Sequence, residues 1–82
     1  MSNWKQVNRC PCCGGQLVVM VHYAYTLDHK VTKKGEMSKK FRRSIGGPID
    51  CTTMGCQDCG EYWDASQMVV EWDDTVWIKE NV

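Results

Sequence analysis

The 82-residue sequence has no long run of apolar residues. Its first residues, Met1-Ser2-Asn3-Trp4-Lys5-Gln6, lack the apolar core of a secretory signal, and no stretch reaches the roughly 20 apolar residues that span a membrane. We therefore expect a cytoplasmic protein with no membrane partner. Because the cytoplasm keeps thiols reduced, the six cysteines are expected to bind metal rather than form disulfides.

The sequence also lacks the stripe of an amphipathic helix, in which apolar residues recur at positions i, i+3, i+4 and i+7. It has strand-like segments instead. Every odd-numbered residue of Leu17–Leu27 is apolar, which predicts one long strand with that face buried, including Tyr23 and Tyr25. A shorter return strand is expected around Phe41–Ile45, before the break at Gly46-Gly47-Pro48.

Near the C-terminus, two further strand-like runs predict a hairpin. They are Gln67–Trp72 and Thr75–Lys79, and they flank an Asp73-Asp74 turn. We therefore expect a single all-β domain spanning residues 1–82, built as an antiparallel sheet with an additional C-terminal β-hairpin.

Histidine is scarce, which argues against catalysis. His22 and His29 lie on or just after the predicted strand, and no sequence feature links either one to a nucleophile and an orienting acid. We therefore expect a non-enzymatic protein.

Acidic residues are nearly absent from the first half. Residues 1–49 contain only Asp28 and Glu36 against nine lysines and arginines, a net charge of +7, and residues 50–82 carry −7. Most of the positive charge lies in the basic loop predicted over residues 28–43, which is expected to be mobile. Its cations are the candidate ligands of nucleic-acid phosphates: Lys30, Lys33, Lys34, Lys39, Lys40, Arg42 and Arg43. The alternative is that these side chains only solvate a hairpin tip or pair with the acidic half.

Two cysteine pairs are the most informative feature of the chain. Cys10-Pro11-Cys12-Cys13-Gly14 and Cys56-Gln57-Asp58-Cys59-Gly60 both contain the pattern Cys-x-x-Cys-Gly. The two-residue spacer puts both thiolates on one side of a tight turn, and the glycine takes a left-handed conformation. One pair would also fit a redox motif, a disulfide or chance, but two pairs predict one four-sulfur metal site of Cys10, Cys13, Cys56 and Cys59. Since so short a chain buries only about 60% of its unfolded surface, folding should require the metal.

The remaining cysteines fit this site poorly. Cys12 lies inside the first spacer, and Cys51 stands too far before Cys56 for a tight turn. Cys51 is better explained as a small buried or strand-end side chain. A second metal site of Cys12, Cys51, His22 and His29 is conceivable, but these residues have no ligand-like spacing.

The two Cys-x-x-Cys-Gly turns resemble those of the zinc ribbon and rubredoxin-like superfamily. The resemblance covers Cys10–Gly14, Cys56–Gly60 and the strands that follow, and it implies one zinc ion bound by Cys10, Cys13, Cys56 and Cys59 beneath an antiparallel sheet. Four cysteines close the coordination shell, whereas a catalytic zinc keeps an open position. Iron also suits four thiolates. Rubredoxins have a shorter interval between the turns and no lysine-rich arm, so an iron electron carrier is the lesser alternative.

Two functions follow as hypotheses. The first is a nucleic-acid-binding module that uses the basic loop, in which Phe41 is the only aromatic residue. The second is a protein-interaction adapter or inhibitor, of the type found in bacteria and phages, that uses Trp63, Trp72 and Trp77 among the acidic residues of the second half. The alternative for each tryptophan is a place in the core.

Overall fold

The computed structural model describes residues 4–23, 25–44 and 51–79. Within these ranges the chain forms two antiparallel sheets and no helix, so the predicted all-β fold class is confirmed. The strands are β1 (Trp4–Gln6), β2 (Leu17–His22), β3 (Thr26–Lys30), β4 (Arg42–Ser44), β5 (Cys51–Cys56), β6 (Tyr62–Trp63), β7 (Met68–Val70) and β8 (Val76–Lys79).

The larger sheet has the strand order β4-β3-β2-β5-β6, and the smaller has β1-β8-β7. The predicted C-terminal hairpin is the β7–β8 pair, in which Met68 lies opposite Ile78. Its turn contains Asp74 with a φ of 70°, a conformation that aspartate tolerates better than most residues. Strand β1 was not predicted, and it pairs with β8 along the other side.

The single long strand predicted over Leu17–Leu27 is wrong. The chain reverses between His22 and Thr26, and the Tyr23 N–H donates a hydrogen bond to the Tyr25 carbonyl at 2.7 Å. The His22 ring fastens this hairpin, because its Nδ1 lies 3.0 Å from the Thr26 Oγ1. No glycine, proline or asparagine marks the reversal, and the apolar alternation runs through it. Tyr23 and Tyr25 are therefore exposed, not buried.

The basic loop predicted over residues 28–43 also needs correction. Strand β3 continues to Lys30, and β4 begins at Arg42, so both ends of the segment belong to the larger sheet. Between them, Val31 pairs with Met37 and is almost completely buried. The middle of the segment is therefore attached to the hydrophobic core through Val31. Strand β4 falls within the predicted return strand, whereas Ile45 and the predicted break at Gly46-Gly47-Pro48 lie outside the described residues.

The turn over residues 32–36 is tied to the smaller sheet. The Val76 N–H donates to the Gly35 carbonyl at 2.9 Å, and the Met37 N–H donates to the Asp74 carbonyl at 2.7 Å. Gly35 has a φ of 81°, which a residue with a side chain would adopt at a cost. We call residues 28–43 the basic segment. These hydrogen bonds anchor its middle to the β7–β8 hairpin.

The hydrophobic core lies between the two sheets. Its buried members are Val7, Cys10, Leu17, Val19, Val31, Met54, Cys56, Trp63, Met68, Val76 and Ile78. Trp63 was a candidate interface residue with a place in the core as the alternative, and the structure places it in the core, where the side chain is only 8% exposed. In so small a domain a large aromatic side chain contributes more by packing between the sheets than by facing solvent.

Candidate metal centre

The first cysteine turn, Cys10–Gly14, is held by backbone hydrogen bonds. The Gly14 N–H donates to the Cys10 carbonyl at 2.8 Å, and the Cys10 N–H donates to the Gly15 carbonyl at 3.0 Å. Gly14 has a φ of 77°, the left-handed conformation expected after the second cysteine. The Cys12 N–H lies 3.4 Å from the Cys10 sulfur.

The second cysteine turn, Cys56–Gly60, repeats this arrangement. The Gly60 N–H donates to the Cys56 carbonyl at 3.2 Å, and the Cys56 N–H donates to the Glu61 carbonyl at 2.8 Å. Gly60 has a φ of 79°. The N–H groups of Asp58 and Cys59 lie 3.4 and 3.5 Å from the Cys56 sulfur. Such N–H groups place partial positive charge beside the sulfur.

The pairing of β2 with β5 brings the two turns together. Leu17, which follows the first turn, lies opposite Cys56 at the start of the second. The Gln57 N–H also donates to the Gln16 carbonyl at 3.0 Å, which links the turns directly.

Glycine is required where the turns approach each other. A Cβ atom at Gly15 would collide with the side chain of Asp58, including its Cβ at 2.8 Å. The close approach of the two turns therefore depends on the absence of a side chain at Gly15.

The four cysteines of the two turns form one cluster. Their sulfur atoms all lie within 4.8 Å of one another. The Cys10 Sγ is 3.6 Å from the Cys59 Sγ, and the Cys13 Sγ is 3.5 Å from the Cys56 Sγ. Sulfurs about 2.3 Å from a tetrahedral zinc ion would lie about 3.8 Å apart, so the cluster is close to the size of such a site. Cys10 and Cys56 are buried, and Cys13 and Cys59 are exposed.

The pKa values in this cluster diverge. Burial acts to raise the pKa of Cys10, but N–H groups of Cys13 and Cys12 and the thiols of Cys59 and Cys56 lower it to about 7. For Cys13 the Gly15 N–H acts to lower the pKa, but the Cys56 thiol, partial desolvation and the other thiols raise it to about 12. A single thiolate, at Cys10, is thus stabilised by the neighbouring thiols. Ionisation of a second cysteine, such as Cys13, is opposed by the negative charge of the first. Four thiolates together require a cation.

The other cysteines and the histidines are engaged elsewhere. A hydrogen bond to Glu61, together with burial and the nearby negative charge, raises the pKa of Cys12 to about 11. His22 Nε2 lies 2.9 Å from the Thr53 Oγ1, and His29 donates from Nδ1 to the Ser38 carbonyl at 2.7 Å.

Cys51 lies opposite His22 in the β2–β5 ladder, remote from the cysteine turns. Within the described part of the chain, Cys12, Cys51, His22 and His29 do not form a metal-binding cluster. The structure therefore does not assemble the conceivable second metal site.

The candidate ligands of nucleic-acid phosphates are all exposed, but they do not form a single cluster. They are Lys30, Lys33, Lys34, Lys39, Lys40, Arg42 and Arg43. Lys33 and Lys34 lie in the anchored turn, where their carbonyls accept hydrogen bonds from Asn8 and Gln6. Three other cations, Lys30, Lys40 and Arg42, lie around a depression of about 280 Å³ on the larger sheet. Its other lining residues are Asp28, Ser38 and Phe41.

Arg43 belongs to the opposite face of β4 from Arg42, because successive strand residues alternate. Its Cζ lies 4.7 Å from the centroid of the Tyr25 ring. Sequence reasoning missed Tyr25 and Tyr23 as surface residues. The sequence has no typical turn residue between β2 and β3, so nothing in it indicated that these two side chains face solvent.

The other two candidate interface tryptophans differ in exposure. Trp72 is 94% exposed beside the β7–β8 turn. Trp77 is half-buried, and its buried Nε1 has no hydrogen-bond partner among the described residues.

No protein-family model, curated protein or solved structure matches this chain. The cysteine cluster and the small all-β fold are consistent with a zinc-ribbon-like protein. Over residues 4–23, 25–44 and 51–79, no helix is long and apolar enough to cross a membrane.

Proposed function

We propose that this chain is a non-enzymatic module in which Cys10, Cys13, Cys56 and Cys59 bind one zinc ion. The observation that supports this most directly is the meeting of four sulfurs within 4.8 Å. Four thiolates form a closed tetrahedral shell, the arrangement of structural zinc sites. Iron fits the same ligands, and elemental analysis of protein purified with a reductant distinguishes the two metals.

The metal would act mainly on stability. Structural zinc contributes about 10 to 16 kcal/mol of apparent binding free energy in small finger peptides, which equals or exceeds the stability of a typical domain. Its role in function would be to hold β2 and β5 in register and so to position the β3–β4 hairpin beside them.

The module is proposed to bind nucleic acid through the basic segment. The support is the exposure of all seven cations and the position of Lys30, Lys40 and Arg42 around one depression. Lysine and arginine side chains in such a position contact phosphate oxygens, which dominate nucleic-acid affinity. The test is fluorescence anisotropy with labelled oligonucleotides. Changing Lys39, Lys40, Arg42 and Arg43 to Glu should abolish binding and leave the metal content unchanged.

A protein-interaction module is the second candidate, and the exposure of Trp72 favours it. This side chain is 94% exposed between Glu71 and Asp73, which are also exposed. Exposed tryptophan is a frequent anchor of protein interfaces, and the flanking carboxylates would select a basic partner. Trp72→Ala would then abolish partner binding, whereas the change of the four cations to Glu would not.

A further inference from the structure

A row of four side chains connects the β2–β3 turn to β4. The Tyr23 and Tyr25 rings have centroids 6.3 Å apart, and the Arg43 guanidinium lies over the Tyr25 ring at 4.7 Å. Phe41 directly precedes β4, and its ring contacts His29. His29 lies on the same face of β3 as Leu27, the residue opposite Arg43, so Phe41 and Arg43 share this face. We call Tyr23, Tyr25, Arg43 and Phe41 the aromatic row.

The three aromatic side chains of the row are exposed. Phe41 is 55% exposed, Tyr23 51% and Tyr25 39%. The domain places Trp63 between its sheets but leaves its one phenylalanine half in solvent. On its inner side Phe41 contacts the buried His29 ring, with centroids 5.5 Å apart, which restrains its position. The three rings are therefore accessible to a ligand, and the contact with His29 keeps the Phe41 ring in place.

Positive charge flanks the row on both faces of the sheet edge. Strand β4 is an edge strand of the larger sheet, with Arg43 on the face of the row and Arg42 on the other. Lys30 and Lys40 line the depression beside Arg42, and Phe41 forms part of the same wall. A ligand lying along this edge would meet aromatic faces and cations together.

We propose that the aromatic row binds single-stranded nucleic acid by stacking unpaired bases on Tyr25, Phe41 and Tyr23 while the cations contact the phosphates. The proposal rests on the proposed nucleic-acid function and names its substrate class. A base pair inside a duplex is already stacked on both sides, so only an unpaired base can offer its face to a ring. Arg43 adds a planar group that stacks on a base and also carries charge.

The experiment compares single strands with a duplex at one salt concentration. Labelled thymidine and uridine strands and a duplex of equal length, within the roughly 4–16 nucleotides that a small binding domain covers, are titrated with zinc-loaded protein. Tighter binding of a single strand than of the duplex is expected. An aromatic ring stacks on the base and does not contact the sugar, so binding of either strand supports the proposal. The strand that binds more tightly indicates whether the ligand is DNA or RNA.

Variants of the row separate stacking from charge. Tyr25→Ala and Phe41→Ala should each weaken single-strand binding between about 5- and 150-fold, and the salt dependence should stay unchanged because no cation is removed. Tyr25→Phe and Phe41→Tyr keep a ring and should retain most of the affinity. Arg43→Lys keeps the charge but should weaken single-strand binding, because the planar group is lost.

Tyr62→Ala is the matched control. Tyr62 has the same 51% exposure as Tyr23 but lies on β6, at the opposite edge of the larger sheet from β4. Its removal should leave single-strand affinity unchanged. Zinc content confirms that each variant is folded.

The outcomes distinguish this inference from the function on which it rests. Equal affinity for duplex and single strand, or wild-type affinity in both Tyr25→Ala and Phe41→Ala, overturns the stacking proposal. If the change of four cations to Glu still abolishes binding in that case, the nucleic-acid function stands. Wild-type protein that binds no oligonucleotide at low salt overturns both, as expected if this surface binds a protein instead.

Discussion

The sulfur atoms of Cys13 and Cys56 lie 3.5 Å apart, although the two residues are 43 positions apart in the sequence. Bringing the ends of so long a segment together costs conformational entropy when the chain folds. A link that joins the ends reduces this entropy cost. Two sulfurs at this distance also repel each other when both are ionised. A bound cation would remove the repulsion and close the segment at the same time.

The first prediction concerns metal content. Protein purified with a reductant should contain one zinc per chain, and a strong chelator should unfold it, because structural zinc supplies much of the folding free energy of small domains that bind it. Cys10→Ser or Cys56→Ser should abolish both zinc binding and cooperative unfolding. Cys12→Ser and Cys51→Ser are the controls and should keep full zinc content, measured by mass spectrometry. Protein with neither zinc nor iron would contradict the metal site.

The second prediction concerns pH. Zinc must displace a proton from each protonated thiol, so its affinity should fall as the pH is lowered. Because the chain without metal is expected to be unfolded, its cysteines then have their ordinary pKa of about 8.5 and carry their protons at neutral pH. The logarithm of the affinity should therefore fall more steeply below about pH 8.5 than above it. Competition with a chromogenic chelator measures this slope, and an affinity that does not change between pH 8 and pH 6 would contradict the prediction.

The third prediction concerns the contact between the two cysteine turns. Gly15→Ala should weaken zinc binding at least about tenfold, because the new Cβ collides with Asp58 and forces the turns apart. Asp58→Gly in the same chain should restore part of the affinity by removing the opposing Cβ. Gly55→Ala is the control, since its Cβ would meet the nearest atoms only at ordinary distances of 3.6 and 3.7 Å. Equal zinc affinity in the Gly15 and Gly55 variants would show that the turns tolerate separation.

The fourth prediction concerns the middle of the basic segment, which the sequence alone predicted to be mobile. Val31 is 1% exposed, so Val31→Ala should lower the free energy of unfolding by about 2 kcal/mol. Val69→Ala, at a residue 40% exposed, should change it by less than about 0.5 kcal/mol. The amides of Val31 and Met37 donate hydrogen bonds and should exchange slowly. Rapid exchange at both amides would support a mobile loop after all.

The fifth prediction concerns salt. Nucleic-acid affinity should fall with ionic strength with a log–log slope of about −2 to −4, the value for roughly three to five phosphate contacts. Trp77→Ala, at a half-buried position outside the basic segment, should leave both slope and affinity nearly unchanged. A slope near zero, measured by anisotropy at several salt concentrations, would exclude the cations as phosphate ligands.

The metal cluster and the C-terminal hairpin could be anticipated because their signals are local. In each cysteine turn, the hydrogen bonds join residues at most five positions apart, so Cys-x-x-Cys-Gly carries nearly the whole geometry. The β7–β8 hairpin likewise joins neighbouring runs around Asp73-Asp74. The reversal at Tyr23–Tyr25 had no such signal, because two antiparallel strands continued the same apolar alternation.

By itself, the sequence determined the all-β class, the four cysteines and the segregation of charge. The tertiary structure decided that Trp63 is buried while Trp72 is exposed, that Val31 docks the basic segment, and that Tyr25 meets Arg43. The physical reason is that burial depends on which distant strand covers a side chain. A short sequence pattern specifies the conformation of its own backbone, but the contacts between two sheets depend on the whole chain.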